Sequence, residues 1–283
     1  MAHLNMPPER EFGWELKSIE SARFAIHERS NGQFCVVLNH ALLRGVTAKM
    51  LHWWFLNFTN LRVTLEDIRG YEGQIVPAYL LWHPSDHLAA TLSGPLGPGF
   101  TAKAGATIEI KEAMQYSKFG WKYPVNNKLR IFYCGSDGWA MGKMLPFFGP
   151  VMMLRIHFKD VYEGGELVGV HYHYEIVIGV SSDSAIGRLI NRRIAKHFSP
   201  EFFEAWQTHN VIEVGTFENF LPALFDQRDR LESLSYSKSA NTALSPEGQQ
   251  SFDNALFLER LEGFKEAADP HEYQGFLKPT FLG

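Results

Sequence analysis

Two strand-forming runs, Val151 to Tyr162 and Glu166 to Val180, flank the pair Gly164-Gly165, and this arrangement leaves few topologies open. A two-residue turn between antiparallel strands asks for positive φ at both central positions, which glycine adopts without a Cβ clash. The run lengths therefore predict a long β-hairpin. A two-stranded ribbon is not stable by itself in water, so further strands must extend it into a sheet with a face to bury. Upstream, IVPAYLLW, LAATL and TAKAGATIEIKEA supply them between the turn segments HPSDH and SGPLGPG, and another strand is expected at Phe34 to Leu38. Thr47 caps a short helix, AKMLHWWFLNF.

After Ser181 the pattern turns helical, and Ser199-Pro200-Glu201 reads as a helix N-terminus, with a hydroxyl cap and proline at the first position. The helix is expected to run to about Leu221. Strands first and one long late helix predict an α+β fold of the helix-grip, Bet v 1-like kind, an antiparallel sheet curled around a long C-terminal helix with a cavity between them. The domain reading is a small N-terminal subdomain over 1–60, a helix-grip catalytic domain over 61–230 and a C-terminal appendage over 231–283. The appendage is set off by the polar loop Ser235 to Gln250, with a helix start at Ser245-Pro246-Glu247.

Charge and composition exclude several functions. Lys plus Arg is 27 against 31 for Asp plus Glu, a net charge of -4, so no basic field exists to neutralise a phosphate backbone and nucleic acid is not an expected partner. With 45% hydrophobic residues the chain builds a core and is not disordered as a whole. The N-terminus lacks an apolar signal region, and the longest candidate span, Trp139 to Phe158, is interrupted by Lys143, Pro146, Gly149 and Arg155. No membrane partner is expected. Cys35 and Cys134 form neither a CxxC pair nor a disulfide framework, which points to a reducing, cytoplasmic setting. A homo-oligomer is left open. Aromatic residues make up 14% of the chain, which suits a large core and also a cavity around a flat ligand.

On the late helix, Phe202, Trp206, His209, Glu213, Phe217, Phe220 and Leu224 fall on one stripe, so His209 and Glu213 face the interior one turn apart. Burying them unpaired is costly, and either a shared metal ion or a mutual hydrogen bond relieves the cost. Two segments offer more ligands. In Trp82-His83-Pro84-Ser85-Asp86-His87 a strand ends in a turn, and one of the two histidines is placed to enter the cavity mouth. In Thr107 to Ala113, Glu112 shares a strand face with Ile108 and Ile110, whereas Glu109 and Lys111 share the other. Two histidines and two carboxylates suit zinc, and the ligand types also admit Fe(II) or Mn(II). In the hairpin, setting Glu163 opposite Glu166 and counting outward places His157 opposite Tyr172, beside Tyr174 and Ile176. Leu154, Ile156 and Phe158 then alternate on the opposite face and compete for the core side. The familiar GxGxxG, GxxxxGK[ST], GxSxG and HExxH motifs do not occur.

From about Val46 to Leu224 the chain resembles the diacetylphloroglucinol hydrolase and phloretin hydrolase family. The residues that carry the resemblance are TAKMLHWWF, YLLWHPSDH, GATIEIKEA and, above all, HNVIEVGTFENFLP. The resemblance implies a zinc (Zn2+) enzyme that cleaves the carbon-carbon bond between an acyl group and a phenolic ring, acting on a small-molecule aromatic ketone of the acylphloroglucinol or dihydrochalcone kind. It implies zinc ligands at His87, Glu112, His209 and Glu213, and substrate-handling groups at Tyr79, His157 and Tyr172. One position departs: some members carry an amide just after the second histidine, where this chain has Ala90. Two other functions stay open at this stage. The cavity could carry an apolar aromatic ligand, with His209 and Glu213 as a buried pair, or two histidines and one carboxylate could hold Fe(II) for oxygen chemistry.

Overall fold

β-branched and aromatic runs broken by glycine and proline give most of the chain extended structure, and the late capping signals give it helices. A computed structural model describes residues 5–239. In chain order the elements are β1 (Arg23–Glu28), β2 (Phe34–Asn39), β3 (Leu43–Arg44), α1 (Ala48–Asn57), β4 (Arg62–Leu65), β5 (Gln74–Pro77), β6 (His87–Ser93) and β7 (Thr107–Ala113). Then follow α2 (Tyr116–Phe119), β8 (Pro124–Gly135), β9 (Gly138–Leu145), β10 (Gly149–Glu163), β11 (Glu166–Ile178), α3 (Ala185–Ala195), α4 (Pro200–Gly215), α5 (Phe217–Asp226) and β12 (Ser235–Tyr236). Thr47 and Ser199 cap α1 and α4 as expected, accepting from the amides of Met50 and Phe202.

The fold is α+β, built on a large antiparallel sheet in the order β1-β2-β11-β10-β9-β8-β7-β6, with β3 pairing on β11. A small sheet, β12-β4-β5, stands beside it. The inner face of the large sheet packs against α4 and α5: the Tyr174 ring lies 5.2 Å from Trp206 and the Tyr172 ring 6.3 Å from Phe217. Trp54 and Phe55 of α1 close the same core against Trp82, Phe217 and Phe220. No helix among the described residues is long and apolar enough to cross a membrane.

Three expectations change. The strand pairing does not set residues 1–60 apart, because β2 pairs with β11 along its whole length and carries β1 into the large sheet. The described part of the expected appendage also belongs to the main body, since β12 pairs in parallel with β4; the helix start at Ser245 lies outside the described residues. The late helix ends at Gly215 and not at Leu221. There Thr216 Oγ1 bonds the carbonyls of Trp82 and Glu213, at 2.8 and 2.7 Å, and α5 continues past Pro222.

The largest correction is one of register. Gly164 and Gly165 have φ of 58° and 89°, and Glu163 pairs with Glu166, as the turn chemistry requires. Tyr162 pairs with Leu167, but Val161 pairs with Gly169, so Val168 is an extra residue, a β-bulge. It lies where β3 pairs with β11, Arg44 opposite Gly169. Gly45 N–H donates to the Val168 carbonyl, and a Cβ on Gly169 would sit 2.3 Å from the Leu43 carbonyl oxygen. Beyond the bulge Tyr172 pairs with Phe158, and His157 pairs with His173. Tyr172 therefore faces the core with Leu154, Ile156 and Phe158, and His157 is turned to the opposite face.

Candidate metal centre

His87 opens β6 and pairs in register with Glu112 near the end of β7, so the two side chains are neighbours on the inner face. Alternation holds along β7: Ile108 and Glu112 are buried, while Glu109 lies on the outer face in ion pairs with Lys111 and Lys128. From the other side α4 presents His209 and Glu213, one turn apart and both buried. Each imidazole looks at both carboxylates. His87 Nε2 lies 3.7 Å from Glu112 Oε1 and 3.6 Å from Glu213 Oε1. His209 Nε2 lies 3.5 Å from Glu112 Oε2 and 3.9 Å from Glu213 Oε2. These separations are too long for good hydrogen bonds. They match the roughly 3.4 Å between neighbouring ligands that tetrahedral bonds of about 2.1 Å produce.

The far nitrogen of each ring is already held. His87 Nδ1 bonds the Tyr79 carbonyl at 3.0 Å, and His209 Nδ1 bonds Asp86 Oδ2 at 2.9 Å. Both contacts fix ring orientation and leave Nε2 for the centre. The consequence is sharpest at His87, which is fully buried and whose Nε2 has no hydrogen-bond partner among the described residues. An orphaned buried nitrogen aimed at two carboxylates fits a divalent cation. His87, Glu112, His209 and Glu213 together form such a group, their ligand atoms all within 4.8 Å of one another.

Electrostatics tell the same story. Burial raises Glu112 and Glu213 above the ordinary carboxylate range, Glu213 to about 8, against the pull of His209. For His209 burial acts downward, yet the hydrogen bond to Asp86 and the charge of Glu112 push it up to about 9. Burial lowers His87 well below its usual value, with further repulsion from His209 and His83. The cluster thus holds protons that a cation of double charge would replace.

Asp86 was not singled out from the sequence, although it stands inside HPSDH. It is fully buried and accepts from the amides of Gln115 and Tyr116 and from Ser85 Oγ as well as from His209. Burial opposes its ionisation, but His83 and the His209 bond hold it well below the usual carboxylate range. His83 is the histidine that stays out of the four-residue group. Its Nδ1 accepts from the amides of Ser85 and Asp86, and its ring stacks 4.8 Å from His209. Asn210 and His40 were also missed: Asn210 Nδ2 donates to Glu213 Oε2 at 3.4 Å, and its Oδ1 meets His40 Nε2 at 3.3 Å.

A cavity of about 1140 Å³ opens over the group, with Tyr79, Glu112, Tyr172, His209 and Glu213 in its wall and His87 behind them. Of the three substrate-handling candidates, Tyr172 lines the cavity, and burial followed by the charge of Glu213 keeps its phenol protonated. Tyr79 lines it too, but its hydroxyl donates to Glu112 Oε1 and its ring stacks on His87, 4.1 Å away. His157 does not line the cavity, because on β10 it alternates with the buried Ile156 and Phe158 and so lies on the outer face.

No family model matches the chain, and no curated protein matches it. Among solved structures it is similar to Ara h 8.0201, with 9% identity over 69% of this chain and 100% of that one, at a TM-score of 0.31. It is also similar to the protein of unknown function SA2116 from Staphylococcus aureus, with 9% identity over 65% and 96% of the two chains, at a TM-score of 0.32. At those TM-scores neither likeness carries an argument.

Proposed function

We propose that the chain is a zinc-dependent hydrolase that cleaves the carbon-carbon bond between an acyl group and a phenolic ring, on a helix-grip scaffold in which the large sheet curls around α4. The observation that carries the reading is the convergence of two imidazoles and two carboxylates under an aromatic-walled cavity, with the buried His87 Nε2 left without a hydrogen-bond partner among the described residues. His87, Glu112, His209 and Glu213 would hold the ion. Bound there, zinc supplies a Lewis acid for a carbonyl oxygen and an acidified water. A reducing, cytoplasmic setting is part of the reading, since Cys35 and Cys134 are both free thiols.

The substrate's own chemistry supplies the leaving group. An aryl carbanion is a poor one, but a phenol can take its keto form, with the acyl-bearing ring carbon tetrahedral and next to a ring carbonyl. Water then adds to the acyl carbon, the bond from that carbon to the ring breaks, and its electron pair passes into the ring as an enolate. A proton restores the phenol, and the products are a carboxylic acid and the deacylated ring. Tyr172 is suited to donate a hydrogen bond to the phenolic oxygen beside the acyl group, because a phenol held protonated acts as donor and not as base. Tyr79 acts one step back by orienting Glu112. The surrounding rings exclude bulk water and stack the flat substrate.

The test is metal content together with reaction products. Protein purified without chelator and reconstituted with zinc should hold one equivalent and release a carboxylic acid from acylphloroglucinols without oxygen uptake. Oxygen uptake with iron would favour an oxygenase. Binding of acylphenols with no cleavage by the zinc-loaded protein would favour a carrier.

A further inference from the structure

Resting on the hydrolase reading, we propose that the acyl group this site takes is a long apolar one, seated along α4 away from the metal ligands. The cavity, about 1140 Å³, exceeds the roughly 300–1,000 Å³ of clefts that take drug-sized ligands. Its polar groups are unevenly placed. Along α4 the lining runs from Glu213 through His209 and Trp206 to Phe203 and Phe202. At ~1.5 Å per residue those eleven steps span about 16 Å. Along β11 it runs from Tyr172 and Tyr174 to Ile176 and Ile178, about 20 Å at ~3.3 Å per residue.

The two rows stay in step, since Tyr172 meets Phe217 just past Glu213 and Tyr174 meets Trp206. Beyond Trp206 the walls are Phe202, Phe203, Val36, Met152, Ile176 and Ile178, and exposed His197 marks the rim. Of the remaining polar lining, Asn210 stands beside His209 and Glu213 on α4, and Lys111, Asn126 and Asn127 lie across the sheet on β7 and β8. A phenol ring and an acetyl group at the ligand end would leave this apolar branch to water. A long acyl chain fills it, and each methylene buried there is worth up to about fourfold in binding.

The experiment compares phloroglucinols carrying acetyl, hexanoyl and decanoyl groups, with affinity read from tryptophan fluorescence in zinc-free and zinc-loaded protein, and kcat/KM read in the latter. Affinity in both forms and kcat/KM should each rise at least about tenfold from acetyl to decanoyl. Ile178→Trp and, as a second filling variant from another strand, Val36→Phe should each pull the decanoyl-to-acetyl ratio back toward one. Equal affinity for acetyl and decanoyl, or a ratio unmoved in both variants, overturns the proposal. If affinity climbs with chain length but nothing is cleaved, the apolar seat stands and the hydrolase reading falls. If cleavage is efficient and indifferent to length, the reverse holds.

Discussion

Glu112 and Glu109 are chemically alike and three positions apart, and the pleat of β7 gives them opposite surroundings. Glu112→Ala should abolish zinc binding, Asp86→Ala should weaken it by roughly 10- to 100-fold through loss of the bond that orients His209, and Glu109→Ala should leave it intact. Equilibrium dialysis against zinc checks all three, and equal loss in Glu109→Ala would remove the assignment of faces. A second pair separates Tyr172 from His157. Tyr172→Phe should lower kcat/KM by roughly ten to a few hundredfold with zinc still bound, whereas His157→Ala, on the outer face, should stay within about twofold. The protons held by the cluster give a third test. His209, raised to about 9, and Glu213, raised to about 8, hold protons at neutral pH that zinc must displace, so affinity should increase as pH rises from 6 toward 9. Calorimetry in buffers of different ionisation enthalpy should show net proton release at pH 7, and none released would contradict the ligand set.

At the scale of elements, the sequence carries what depends on local rules and omits what a neighbour imposes. The Gly164-Gly165 turn, the Thr47 and Ser199 caps and the buried face of β7 follow from φ preference, hydroxyl capping and strand alternation, and all are present. His209 and Glu213 were legible because a helical stripe that is otherwise apolar makes two ionisable groups conspicuous. The His157 register was not legible, because the bulge at Val168 arises where β3, more than a hundred residues earlier, pairs with β11. Asp86 was hidden for a related reason: its distant partners, Gln115, Tyr116 and His209, sit on β7's outgoing turn and on α4, and no spacing within HPSDH announces them. The pairing itself can be tested. Gly169→Val would drive a side chain into the Leu43 carbonyl, and a loss of roughly 1–3 kcal/mol is expected. Denaturant unfolding measures it, and an unchanged midpoint would show that β3 is held elsewhere.

At the scale of the whole molecule, the four candidate ligands come from β6, β7 and α4: His87 and Glu112 stand 25 positions apart, and His209 lies a further 97 along the chain. A cation there binds the folded state only, so strong chelation should lower the thermal midpoint as well as activity, and zinc should restore both. A midpoint indifferent to chelator would mean that the four side chains are satisfied without an ion. One strand has a stake beyond stability. β6 lies at the end of the large sheet, with β7 as its sole strand partner among the described residues, and its first residue is His87. A terminal strand offers unpaired amides and carbonyls to any passing chain. The ion would pin this strand to a helix on the far side of the core, so metal loss should expose a sticky margin before the rest of the sheet opens. Self-association would then begin at β6, and a cell short of zinc would meet the deficiency first as aggregated protein and only afterwards as missing activity.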